Sequence, residues 1–164
     1  SAQRLISAGA EIIIIAANNP HIIFHELEKR IGKPTLSIMK ATAMRVENSG
    51  LKKIGLIGTE FTMSQNFYHK TFSEYSIEIL IPTVDQQKIL DQLYWEELAY
   101  NKITNETKKK YLEIIQELVE KGAEGIILSD REISQVLKAE ECLVPLFDST
   151  TIHVESVLDL AMDV

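Results

Sequence analysis

The chain has 164 residues, 45% hydrophobic and 25% charged, a composition that suits a globular protein with a real core and sets aside disordered and fibrous classes. Its net charge of -7 and pI near 5.1 argue against nucleic acid and anionic membranes, because phosphate binding needs clustered Lys and Arg. No apolar segment reaches the roughly 20 residues of a membrane span and no signal sequence opens the chain, so no membrane partner and a cytoplasmic location are expected.

In chain order, apolar runs of strand length alternate with longer stretches of helical period, the pattern of a parallel sheet with crossover helices. Strands are predicted near residues 11–17, 34–38, 53–59, 77–82, 125–129 and 144–148. Helices are predicted over 19–31, 39–48, 62–75, 85–100, 105–121, 132–139 and 151–162. Gly32, Gly50 and Gly122 read as helix stops, and Thr62 and Asn105 as N-caps. The basic run Lys108, Lys109 and Lys110 sits beside Glu106 and Glu113 and reads as a solvated helix face. Met39, Met44, Phe67 and Trp95 fall at core spacings. The single cysteine, Cys142, excludes an intrachain disulfide and reads as a small buried or half-buried residue.

Two stretches repeat. GAEIIIIAANNPH at 9–21 and GAEGIILSDRE at 122–132 share Gly-Ala-Glu and an aliphatic strand, and each is followed by a helix and a short Pro-led strand, KPTLS at 33–37 and VPLFDS at 144–149. Two copies are too few for a solenoid, so two lobes related by an approximate two-fold axis are expected. The fold class is therefore α/β, with two pseudo-symmetric lobes, each a parallel sheet flanked by helices. Ligands of such sheets bind outside the carboxyl ends of the strands. Ala17, Asn18 and Asn19 are expected on one wall of a shared cleft, with Asp130, Arg131 and Glu132 on the other.

With these stretches, together with LKKIGLIGTEFT at 51–62 and LFDST at 146–150, the sequence resembles the aspartate/glutamate racemase family over essentially its whole length. The resemblance implies a cofactor-independent, homodimeric isomerase acting on a small acidic amino acid or related carboxylate. It also implies that Ser1 begins within the fold, since members extend further upstream with a first strand and a glycine-rich loop. Residues 1–40 would be the remainder of the first lobe, with a C-terminal helix at 151–164 packing back on it, and 41–150 the second lobe.

In that family one cysteine from each lobe moves the α-proton. Here Ala17 stands at the first position and Asp130 at the second. Alanine exchanges no proton, so the two-thiol mechanism is excluded. Asp130 is the surviving acid/base candidate, although a carboxylate is weaker than a thiolate by about 4.6 pK units, some of which burial can recover. A polar or ion-pairing role for Asp130, with Arg131 as partner, is the competing reading.

Asn18 and Asn19 sit where a strand gives way to a helix, and Pro20 suits the first helical position, so this turn is expected to hold a ligand carboxylate. Gly58, Thr59 and Thr62 form a second such turn; a plain N-cap without ligand is the alternative at each. Glu132 matches the family's acid after the second cysteine, or simply favours a helix start. Lys102 is placed by the resemblance near the substrate's side-chain carboxylate, against the alternative of a surface lysine. His21 and His25, four apart, make only half a metal site, and no metal is expected. GLIG at 55–58 lacks the third glycine and the acid of a dinucleotide fingerprint, so no cofactor is expected. Two functions remain open: an impaired or altered isomerase, and a catalytically silent relative that binds a small carboxylate or serves as an interaction or sensor module.

Overall fold

The computed structural model describes residues 1–162. Its framework is a parallel sheet in the order β2-β1-β3-β4, formed by β1 (Lys53–Ile57), β2 (Glu78–Leu80), β3 (Gly125–Leu128) and β4 (Leu146–Asp148). The central strands carry the most continuous apolar sequence: Ile54, Leu56, Ile57, Ile126 and Ile127 are fully buried. Such runs belong to strands covered on both faces. Helices supply that cover: α3 (Ile38–Asn48), α4 (Glu60–Ser64), α5 (Phe67–Ser73), α6 (Val84–Glu96), α7 (Asn105–Glu120), α8 (Arg131–Val136) and α9 (Ser149–Met162). The α/β class and a parallel sheet flanked by helices are thus as expected.

Several boundaries differ from the sequence reading. The helix expected over 62–75 is two helices, α4 and α5, parted at Gln65, whose backbone is extended. Thr59 rather than Thr62 caps α4, and Thr104 rather than Asn105 caps α7. The helix expected over 85–100 ends at Glu96, with a separate 3-10 turn at Leu98–Tyr100. Residues 19–31 divide into a 3-10 turn, Asn19–Ile23, and helix α2, Phe24–Ile31, preceded in the chain by α1, Ala2–Ser7. Met39 is core, but Met44 and Trp95 are exposed. Lys108 pairs with Glu141, and Lys110 with Glu113 at 2.7 Å.

The two repeats have the same local geometry. Gly9 and Gly122 adopt φ of 96° and 98°, a region that glycine enters without penalty. Each closes a helix with matching bonds, Ala10 N–H to Leu5 C=O at 3.0 Å in one copy and Ala123 N–H to Leu118 C=O at 2.9 Å in the other. Ile13 N–H then donates to Pro34 C=O at 3.1 Å, as Ile126 N–H does to Pro145 C=O at 2.9 Å. In the second copy a ladder grows from this bond. In the first it does not: the strands expected at 11–17 and 34–38 form no ladder among the described residues. A strand is a partnership, and each ladder needs a neighbour as well as the right residues.

Side chains hold the first copy instead. Asn18, buried, donates from its amide nitrogen to Ser129 C=O and to Ser149 Oγ at 3.3 Å, and its Oδ1 accepts from the Tyr68 hydroxyl at 2.6 Å. His21 Nδ1 donates to Ala17 C=O at 2.7 Å while its Nε2 accepts from Ile38 N–H at 3.1 Å. His153, in contact edge-on with His21, meets Leu36 C=O at 3.1 Å. Helix α9 packs along α3. Both nitrogens of His21 are therefore committed to backbone, while His25 lies exposed beside Glu28.

Two outcomes follow from this bonding. Tyr68→Phe leaves Asn18 Oδ1 buried without a donor and lowers unfolding stability by about 1–3 kcal/mol in urea titration, with faster amide exchange at residues 13–24 than in β1. Burial, aided by His153, holds His21 down to about 4 from 6.5. Between those values the unfolded chain binds the extra proton, so this contribution is complete above pH 6.5 and fades as the pH falls toward 4. Up to about 2 kcal/mol disappears between pH 7 and 5; in His21→Gln the urea midpoint depends less on pH over that interval.

Candidate functional site

The carboxyl ends of β1 and β3 lie side by side, and their exits are shaped by close approach. At Gly58 a Cβ would collide with Ser129 Oγ and come within 3.2 Å of Asp130 Oδ2, so the absent side chain is what lets the two strand tips meet. Gly58 thus admits the neighbouring strand. Asp130 Oδ2 accepts from Ser129 Oγ at 2.8 Å and from Thr59 N–H at 3.3 Å. Burial pushes the Asp130 carboxyl above its usual range, against these two bonds, and Glu132 and Asp91 push it further. The recovery of basicity expected from burial is thus present in direction.

A chain of hydroxyls connects this tip to the first copy. Thr59 Oγ1 lies 3.0 Å from Thr62 Oγ1, Thr62 Oγ1 donates to Asn19 Oδ1 at 2.6 Å, and Thr62 N–H donates back to Thr59 Oγ1 at 3.4 Å. Glu60 N–H donates to Asp91 Oδ1 at 2.9 Å. The N–H groups of Thr59, Glu60 and Thr62 are therefore all bonded within the protein, two of them to carboxylates. Two of the turn's donors are thus taken by Asp130 and Asp91, while Phe61 N–H has no bonded partner among the described residues. The Asn18 amide is likewise spent on Tyr68, Ser129 and Ser149. Asn19 gives only its Oδ1 to Thr62, and its amide N–H groups have no protein partner among the described residues.

The remaining expected residues divide. Ala17 is exposed, next to the Asn18 that bonds Ser129, so residues 17 and 130 flank the two ends of one hydrogen bond rather than opposite ends of the molecule. Arg131 pairs with Glu132 at 3.1 Å, not with Asp130, and both line a surface hollow with Leu98, Asn101 and Gln135. Glu132 also accepts from the Tyr94 hydroxyl at 3.2 Å; burial and the neighbouring carboxylates push that phenol well above its usual range. Lys102 stands apart, its ammonium over the Tyr100 ring at 5.9 Å.

Tyr68, Asp91 and Ser149 are the residues that the sequence reading missed. Tyr68 and Asp91 sit in helices whose periodicity explains them as core and surface, and their partners lie 50 and 31 residues away. Only LFDST, already familiar from the resemblance, pointed toward Ser149. At the joined tips Asp130 is the ionisable group, and position 17 carries a methyl group.

Comparison with known proteins accords with this architecture. The Asp/Glu/Hydantoin racemase family profile matches residues 1–157. A crystal structure of a candidate Asp/Glu racemase from Yersinia pestis superposes with a TM-score of 0.93 at 34% identity, covering 98% of this chain and 70% of that one. PH1733, an aspartate racemase homologue from Pyrococcus horikoshii OT3, gives 0.90 at 34%, covering 98% and 71%. The broad specificity amino-acid racemase RacX of Bacillus subtilis (strain 168) is 20% identical over 156 residues, 91% of this chain but 64% of its own length. The chain thus spans less than two thirds of that curated relative. With a family match across nearly every residue and two solved structures sharing a third of its sequence, the chain belongs to the Asp/Glu/Hydantoin racemase family.

Proposed function

We propose that the protein binds a small amino acid or related carboxylate in the crevice between residues 17–19 and 129–132, and that its proton chemistry rests on Asp130 alone. The observation that carries this reading is the joining of the two strand tips, through Asn18 and Ser129, with a half-buried carboxylate on one side and Ala17 on the other. Raised basicity suits Asp130 to accept a proton at the α-carbon and return it to the same face. With no second acid or base at position 17, racemisation by a matched pair is replaced by single-face exchange or a related one-base isomerisation. Asn19, with its unpaired amide N–H groups, is the donor for the ligand's carboxylate.

A second reading is favoured by a specific observation. Asp130 Oδ2 is already held by Ser129 and Thr59, which suits a fixed wall as well as a base. A silent, ligand-binding relative is the result. Under either reading the family resemblance supports a cytoplasmic, cofactor-independent homodimer. It also supports residues 1–40 as part of a first lobe and 41–150 as a second. The contacts of His153 with His21 and Leu36 support the C-terminal helix as packing back on the first; residues 163–164 of that expected helix lie outside the described residues.

Proton exchange separates the two. Incubation of each enantiomer of alanine, aspartate and glutamate in D₂O, followed by NMR, should show loss of the α-proton signal with retention of configuration. Asp130→Asn should slow it by roughly 10²-fold or more. Saturable binding without exchange selects the silent reading, and neither exchange nor binding overturns both. Asn19→Ala should weaken binding by about fivefold, the loss of roughly 1 kcal/mol from one hydrogen bond; unchanged affinity in calorimetric titration removes Asn19 from the site.

A further inference from the structure

We infer that His21 is an acid-released latch: its neutral ring fastens the turn at residues 17–24 to the head of α3, and protonation frees that turn while the sheet stays folded. The latch is independent of what the crevice binds. His21 is 3% exposed and joins two segments of chain, with Nδ1 2.7 Å from Ala17 C=O and Nε2 3.1 Å from Ile38 N–H. A backbone N–H can only donate, so Nε2 presents a lone pair and the ring carries its hydrogen on Nδ1. An imidazolium has a hydrogen on both nitrogens. It keeps the bond to Ala17, but its other contact becomes two N–H groups pointing at each other, one of them charged.

The surroundings offer a charged ring no counter-ion. Phe24 stacks on it at 5.3 Å and His153 of α9 meets it edge-on at 5.9 Å. His153 holds Leu36 C=O through Nε2, a bond that survives its own protonation, so acid sets a second cation beside the first. The hollow that His21 lines also carries His25 and Glu28 of α2, Lys40 of α3, and Lys70 and Glu74 of α5. Glu28 pairs with His25 at 3.8 Å, the two lysines offset the two carboxylates, and no carboxylate pairs with His21 among the described residues. Release is local because the segment is lightly tied. Among the described residues one backbone bond, Ile13 N–H to Pro34 C=O, joins residues 11–18 to another part of the chain. Side chains of Asn18, Asn19 and His21 supply the remaining hydrogen bonds. Removing one of these three anchors lowers the cost of opening the turn and leaves the ladders of β1 and β3 intact.

Amide hydrogen exchange of the ¹⁵N-labelled chain, corrected for the intrinsic rate at each pH, tests this. The ring titrates at about 4 in place and at 6.5 when free, so protection at residues 17–24 and Ile38 should fall by about twentyfold from pH 7 to pH 5. Local opening exposes little surface, so low urea should leave these rates unchanged, whereas amides of β1 and β3 stay better protected and respond to urea. Ring ¹⁵N shifts at pH 7 should show the hydrogen of His21 on Nδ1. His21→Gln, whose amide can accept from Ile38 and donate to Ala17, should hold protection within about threefold over the same interval. His153→Gln should keep the fall, which places the sensor at His21 even where His21→Gln does not fold. Protection at 17–24 that is flat with pH, or that matches β1 in size and urea response, overturns the latch. So does a ring hydrogen on Nε2, or a fall that disappears in His153→Gln.

Discussion

One buried amide governs how this molecule is put together. Asn18 has two donors and one acceptor group to satisfy in a dry environment, and it satisfies them on three separate pieces of chain: the hydroxyl of Tyr68 on α5, the carbonyl of Ser129 beyond β3, and the hydroxyl of Ser149 at the head of α9. Buried polar groups are held to full pairing because an unmade bond there is expensive. Residues 17–19, which form no sheet ladder, are therefore located by side-chain chemistry at the tip of the sheet. The approach of residues 17–19 to Ser129 and Asp130 depends on that amide.

The two walls brought together this way are unequal. The first copy brings a turn with one unspent amide, and the second brings a cluster of carboxylates whose oxygens already serve the protein. In a symmetric site each half would offer equivalent chemistry to a ligand's two faces. Here the halves have diverged while the frame around them has not: the glycine turns and the Pro34 and Pro145 carbonyl bonds still coincide to within a few tenths of an ångström. Backbone geometry coincides where the side chains at the tips differ.

How much of this could be read in advance depends on the range of the interactions involved. The Gly-Ala-Glu turns and the aliphatic runs of β1 and β3 declare themselves locally, since a positive φ calls for glycine and a doubly covered strand for unbroken apolar sequence. The stretch IIII at 12–15 declares the same thing and yet forms no ladder, because pairing depends on a neighbour that periodicity does not report. The break between α4 and α5 falls at SQN, with no glycine or proline to announce it. The meeting of residues 17–19 with 129–130 was legible from the repeat. The commitment of Thr59, Glu60 and Asn18 was not, since it is fixed by Asp130, Asp91 and Tyr68 from distant parts of the chain.

Position 17 is fastened by its carbonyl, which takes the proton of His21, and its side chain takes part in none of the bonds that shape the turn. Position 130 is the reverse, for its carboxylate binds both Ser129 and Thr59. The same fold therefore leaves position 17 open to change at little structural expense and has woven position 130 into its scaffold. Substitution meets a free side at the first and a constrained one at the second.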